Sequence, residues 1–218
     1  QAQTLNEAQL RRVIHYCRSR RHPIRDETII LVSFYAGLRA KEIAALTVGN
    51  IFDEDGAVRT QFILSAQQSK GGQTRTVYLN QRLRKALREY GDYIRLADPQ
   101  RPLFASQKGG HFSANTMCQL FLEIYKACGF KDASSHSGRR TYITRLANIP
   151  PTILTALSTN QSERTQDQTR LISDHYTRQV APQLRSERQR LAKLEKDLAA
   201  IKPTTVPILT ELPPDKHR

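Results

Sequence analysis

The feature that most restricts the fold is a pair of short segments near the middle of the chain. Val58–Leu64 and Thr74–Leu79 are rich in β-branched and aromatic residues and flank Ser69-Lys70-Gly71-Gly72. That pattern predicts two antiparallel strands joined by a flexible loop. Elsewhere the apolar residues recur mostly at helical spacing. The expected fold class is therefore mostly α (α+β), a helical domain carrying one small antiparallel β-sheet.

The helices can be bounded from their punctuation. Thr4-Leu5-Asn6-Glu7 reads as a capping box, and Leu10, Val13, Ile14 and Cys17 then follow at helical spacing, predicting a helix over 5–19. Residues 25–36 are apolar enough for a buried helix, which Gly37 ends. A short helix is expected over 40–47, closed by Gly49 and Asn50, and Asp53-Glu54-Asp55-Gly56 reads as a turn. Residues 80–95 place Leu83, Leu87 and Tyr90 on one helical face, and Pro99 and Pro102 break the chain after them. Ser113 caps a helix to about Cys128, and helices are expected over 135–147 and 152–158, around Pro150-Pro151. The polar stretch 159–170 has no apolar period and reads as a loop.

The last segment changes character. Leu184, Leu191, Leu194, Leu198 and Ile201 are spaced as an a/d seam on an otherwise charged helix. Four of the ten prolines follow residue 202, which predicts an extended tail. The expected division is a domain over 1–180 followed by an amphipathic helix and Pro-rich tail over 181–218.

Charge narrows the partner. Lys and Arg number 34 against 20 Asp and Glu, so the formal charge is 34 − 20 = +14. The basic residues run along the whole chain, which favours a surface wrapping a polyanion, nucleic acid first, over a detachable basic tail. The longest apolar stretch, Thr28–Leu38, is eleven residues, against the roughly twenty a membrane helix requires. No stretch near Gln1 reads as a secretion signal. Three cysteines in no close spacing fit neither a disulfide scaffold nor a structural zinc site, and suit a reducing cytoplasm.

Four motifs, taken in order, carry chemistry. AGLRAKEIAAL holds Arg39 and Glu42 at a helix start. QSKGGQTRTVYL holds Lys70 in the strand-connecting loop. SSHSGRRTYITRLA holds His136 and Arg139 as H-x-x-R, and SDHYTRQV holds Tyr176. In this order they resemble the tyrosine recombinase, or phage integrase, family, whose catalytic domain is related to type IB topoisomerases. The family's first box typically reads T-G-L-R-x-x-E-x-x-x-L, and Gly37, Leu38, Arg39, Glu42 and Leu46 follow it. The lysine box typically reads T/S-K-G-x-x-x-R-x-V-x-L, and Ser69, Lys70, Gly71, Arg75, Val77 and Leu79 match. The second arginine box typically reads H-x-L-R-H-T-x-A-T; His136, Arg139 and Thr141 match, with Gly138 and Arg140 as departures.

The resemblance implies a DNA strand-transferase working through a 3′-phosphotyrosyl intermediate, and the chemistry explains the residue types. A phosphodiester's transition state concentrates charge on its non-bridging oxygens, and two guanidinium forks hold that charge better than ammonium groups do. Arg39 and Arg139 are the expected clamp. Tyr176 is the expected nucleophile, and Lys70 the general acid for the leaving 5′ oxygen. His136 exchanges a proton with the phenol or holds a phosphate oxygen. Glu42 orients, and His175 is a supporting donor. The arginines supply the positive charge, so no metal and no other cofactor is expected.

One region departs from the family. Leu157-Ser158-Thr159-Asn160 stands where the family usually carries a His or Trp before the nucleophile. That leaves a second reading, a DNA-binding relative whose strand-transfer activity has decayed. Tyr142 takes the place of an apolar aromatic and is expected in the core. The resemblance further implies double-stranded DNA as partner and a homo-oligomer, a tetramer on DNA, assembled through the C-terminal helix. It implies a cytoplasmic protein of bacterial, phage or mobile-element origin. The family's amino-terminal DNA-clamping domain is expected to be absent from residues 1–218.

Overall fold

The computed structural model describes residues 2–69, 72–94, 96, 98–107, 109–159, 163–177 and 184–200. The chain forms two compact units, Gln1–Asn148 and Ile149–Arg218.

The first unit is built around α2 (Pro23–Ala36), in which nine residues including Ile29, Ile30, Val32 and Phe34 are buried. A helix apolar on most of its circumference has to be enclosed. It is enclosed by α1 (Glu7–Arg18), α5 (Gln81–Tyr93) and α7 (Ser137–Ala147). On the other side, α6 (Ala114–Ala127) packs against α1 and against α3 (Ala40–Ala44), with Phe121 and Tyr125 fully buried. Gly37 ends α2 in the left-handed region, φ 63°, and the ring of Tyr142 sits 2.3 Å from where a Cβ would stand. Any other residue there is both strained and obstructed.

The sheet is shorter than the sequence suggests. β1 (Gln61–Leu64) pairs antiparallel with β2 (Arg75–Tyr78), with Phe62 opposite Val77 and Leu64 opposite Arg75. Val58 leaves the ladder because it bridges Phe52 across the Asp53–Gly56 turn, where Asp53 Oδ1 accepts from the N–H groups of Asp55 and Ala57.

Two helix boundaries are corrected by long-range contacts. The N-cap of α1 is Asn6 with Gln9, not Thr4 with Glu7. Leu5 is buried and its N–H donates to Thr141 Oγ1 at 2.9 Å, so the chain is anchored there and the helix starts two residues later. Gly49 and Asn50 do not close α3 but lie inside α4 (Val48–Ile51). The Gly49 N–H bonds Pro99 O at 2.8 Å, and a Cβ there would sit 3.0 Å from the Pro99 Cβ, so a larger residue would have to push Pro99 back.

In the second unit α8 (Pro151–Ser158) packs on α9 (Gln166–His175), and α10 (Arg185–Ala200) follows. Residues 166–170, expected in a loop, form the first turns of α9. A Thr165/Gln168 capping box starts it, and none of its residues is buried, which is why no apolar period announces it. The Arg164 guanidinium donates to the carbonyls of Ala156, Leu157 and Thr159, satisfying the end of α8. α10 is the helix expected from the heptad spacing, and Leu191, Leu194 and Leu198 on it are exposed. Ile201 and the Pro-rich tail lie outside the described residues. No described helix is long and apolar enough to cross a membrane.

Candidate active site

The first unit gathers three arginines around one buried carboxylate. Arg39 stands at the N-cap of α3, just after the Gly37 bend, and Glu42 lies one turn on with no exposed surface. Glu42 Oε2 accepts the Arg39 backbone N–H at 2.8 Å, and Oε1 accepts Arg39 Nη1 at 3.1 Å. Arg75, at the start of β2, donates Nη1 to Oε1 at 3.0 Å and Nη2 to Oε2 at 2.8 Å. Burial pushes the Glu42 carboxyl up, but the Arg75 fork and the two Arg39 donors outweigh it and hold the group at about 2. The carboxylate is therefore ionised throughout the neutral range.

Arg139 comes from the first turn of α7 and donates Nη1 to the Gly37 carbonyl. That bond ties it to the bend that presents Arg39. Burial and the charge of Arg39 draw Arg139 below an ordinary arginine, and Glu42 partly offsets them. Two guanidiniums held within electrostatic reach of each other repel, and an anion between them relieves the repulsion. The cluster of three arginines and one glutamate carries 3 − 1 = +2. Arg75, Arg139, Tyr78 and Tyr142 line an adjoining depression of about 230 Å³. Tyr142 is half-buried there, where a core position was expected.

The departures in the second arginine box have a packing reason at one position. Gly138 lies against α2 so closely that a Cβ would come within 2.4 Å of Ser33 Oγ and 2.9 Å of Ser33 Cβ. The larger residue usual in the family does not fit beside Ser33. The matched Thr141 is buried, accepts from the Leu5 N–H and donates to Ser137 O at 2.8 Å, fixing α7 against the start of the chain.

His136 is exposed at the N-cap of α7, three residues before Arg139, and makes no side-chain cap. Its backbone N–H bonds Ser134 Oγ at 3.3 Å, so Ser134 shapes the preceding turn and the helix begins at Ser137. Lys70 lies outside the described residues. Ser69 before it is buried, and its N–H bonds Ser65 O at 3.0 Å. Tyr176 and His175 belong to the second unit. Tyr176 is the C-cap of α9, its backbone N–H bonding Ile172 O and Ser173 O, and it is 48% exposed; His175 closes the last turn of the helix. Leu157 and Thr159 fall at the end of α8, and Asn160 lies outside the described residues.

Arg75 had no assigned role in the sequence. The signal for it was strand alternation: it shares a face with buried Val77, so its charge had to turn inward and meet a counter-ion.

Comparison with known proteins bears on the same residues. Tyrosine recombinase XerC of Pelobacter propionicus is 27% identical over 124 residues, 56% of this chain and 39% of that protein, so the chain spans about two fifths of the curated relative it matches. The crystal structure of XerA recombinase superposes with a TM-score of 0.54 at 20% identity, covering 79% of this chain and 62% of that one. The Tn1549 transposon integrase, solved in complex with circular intermediate DNA, gives 0.54 at 19% identity over 79% of this chain and 66% of that one. These likenesses establish a shared fold. The sequence model of the phage integrase family matches residues 3–156, which takes in the Arg39, Lys70 and Arg139 motifs together, and the chain belongs to that family.

Proposed function

We propose that this chain supplies the catalytic part of a tyrosine recombinase that breaks and rejoins strands of double-stranded DNA. The observation that carries the reading is the Arg39–Arg139 pair, which together with Arg75 and the buried ionised Glu42 forms a cluster of net charge +2. A phosphodiester brings one negative charge, and the five-coordinate transition state brings a second. A fixed site of +2 therefore binds the transition state better than the ground state, which is what lowers a barrier.

In this reading the Tyr176 phenol oxygen attacks phosphorus and forms a 3′-phosphotyrosyl ester while the bond to the 5′ oxygen breaks. Lys70 gives its proton to that oxygen. His136 takes the phenol proton, and His175 serves as a supporting donor in place of the usual His or Trp. The ester keeps the energy of the broken bond, so a 5′-hydroxyl reverses the step without ATP. Duplex DNA is held by the +14 charge, and copies assemble as a tetramer on it through α10 and the tail. The protein acts where bacterial or phage DNA lies, in the cytoplasm.

The test is a nicked duplex carrying candidate sites. The expected result is a covalent protein–DNA band that is absent from Tyr176→Phe. Duplex binding without any band, across sites that bind tightly, would instead identify a DNA-binding relative without strand transfer.

A further inference from the structure

We infer that Arg75 is a positioning residue for Arg39, acting through Glu42. The inference rests on the reading of Arg39 as a phosphate clamp. Glu42 offers two oxygens, and Arg75 takes both in a fork, at 3.0 and 2.8 Å. Arg39 reaches the same carboxylate with its backbone N–H and with a single guanidinium nitrogen, Nη1 at 3.1 Å. A carboxylate and an arginine left alone pair bidentately. Here Arg75 pre-empts that pairing. Arg39 is held at one corner, and the rest of its fork stays available to an anion.

The geometry explains why the cluster has three arginines rather than two. Without Arg75, Glu42 would draw the Arg39 guanidinium into a full fork and neutralise the group meant for phosphate. With Arg75 in place, Glu42 orients Arg39 without consuming it. The same ion pair joins two elements far apart in sequence, since Arg75 and Glu42 are separated by 33 residues. Arg75 opens the strand that returns from the Lys70 loop, and Glu42 sits on α3 beside Arg39. The start of that strand is thereby pinned to the helix presenting the clamp.

This account predicts a reversal of sign that a purely structural ion pair does not give. Arg75→Gln should slow adduct formation about tenfold to a hundredfold, a part of what loss of a preorganised donor costs. Arg75→Lys, which holds Glu42 at one point, should fall between. Glu42→Gln alone should also slow the reaction. Glu42→Gln added to Arg75→Gln should instead recover part of the rate, because a neutral amide no longer captures Arg39. Thermal midpoints of all four variants, measured alongside, exclude loss of fold as the cause.

A second readout does not depend on strand transfer. Phenylglyoxal modification of Arg39, mapped by mass spectrometry on the whole chain, should slow in Arg75→Gln as Arg39 is drawn onto the carboxylate. It should rise in the double variant. If the wild type forms no adduct on any site but the modification pattern holds, the strand-transfer reading fails and the role of Arg75 stands. If Arg75→Gln leaves Arg39 equally reactive, or if the double variant is slower than either single one in a folded protein, the inference is overturned.

Discussion

The arginine cluster and the Tyr176 segment are built on opposite principles. The cluster is tied down by contacts from distant parts of the chain: Glu42 by Arg75 from the sheet, Arg139 by the Gly37 carbonyl, and α7 by Leu5 through Thr141. Tyr176 is fixed within α9 by its own backbone, on a helix with no buried residue. A group that must hold charge in one geometry gains from preorganisation. In the proposed mechanism Tyr176 must travel to phosphorus and back, and such a group gains from weak attachment. The contrast predicts that changes in the cluster alter both chemistry and stability, whereas changes at Tyr176 alter chemistry alone.

The largest effect separates those two consequences. Tyr176→Phe should abolish the covalent adduct completely. Its duplex affinity and thermal midpoint should match the wild type, since a phenol 48% exposed at the end of α9 contributes little to packing. A lowered midpoint would show that the second unit is more tightly built than its exposure indicates. Arg139→Lys follows: it keeps the charge but loses the fork, and adduct formation should slow by a hundredfold or more. A wild-type rate in that variant would move the clamp elsewhere.

Glu42 tests the cluster's share in stability. Its folded carboxyl is held at about 2, below the ordinary 4.5. A depressed carboxylate contributes stability that is fully present above about 4.5 and is lost as pH falls toward 2. Glu42→Gln should therefore cost about 1–3 kcal/mol at neutral pH, and the variant should lose less stability than the wild type as pH falls through that window. The cost stays below the range for a fully buried pair because the side chains of Arg39 and Arg75 are each 33% exposed and can be partly rehydrated. Denaturant unfolding at a series of pH values measures both quantities. Parallel curves for the two proteins between 4.5 and 2 would show that Glu42 is not the linked group.

The same contrast decides what could be read in the sequence. Arg39 and Glu42 were legible because their spacing is local, i, i+3 on one helix start, and Arg139 because it stands three residues after His136 in one motif. Arg75 was legible as a motif match, but its partner lies on another element, and only the alternation with Val77 hinted at its direction. The α1 boundary was misplaced for a similar reason, since the contact that fixes Leu5 comes from Thr141, 136 residues away. α9 was missed from the other side. It has no buried face to set a period, and Thr165 with Gln168 was its one local sign. Gly138 reads as a departure from the family until Ser33 is placed beneath it.

That contact gives a packing test of the cluster's foundation. Gly138→Ala places a methyl within 2.4 Å of Ser33 Oγ, so α7 must shift and take Arg139 with it. A cost of about 1–3 kcal/mol is expected, together with slower adduct formation. Ser33→Ala alone should be close to neutral, because Ser33 Oγ is buried without a hydrogen-bond partner among the described residues. Combined with Gly138→Ala it should recover part of the loss, since the nearest contact is gone. Full additivity of the two changes would mean that they do not meet.

The smallest effect on stability is expected at the other end of the contrast. Residues 181–218 carry α10, whose Leu191, Leu194 and Leu198 are 55%, 56% and 70% exposed. Leucines so exposed contribute little to their own chain's core, so removing 181–218 should change the unfolding free energy by no more than about 0.5 kcal/mol. The segment holds eight Lys and Arg against five Asp and Glu, so its loss takes 8 − 5 = +3 from a total of +14. Binding of a single copy to duplex should weaken modestly, with a slightly shallower dependence on salt. Assembly should respond differently. If the leucine stripe is covered by a neighbouring copy, the truncated chain should bind DNA as separate copies where the full chain forms higher complexes, and its cleavage should change accordingly. Sedimentation of both chains on a two-site duplex measures this directly. A truncated chain that unfolds or loses several kcal/mol would show that the stripe belongs to its own subunit, and assembly through α10 would be rejected.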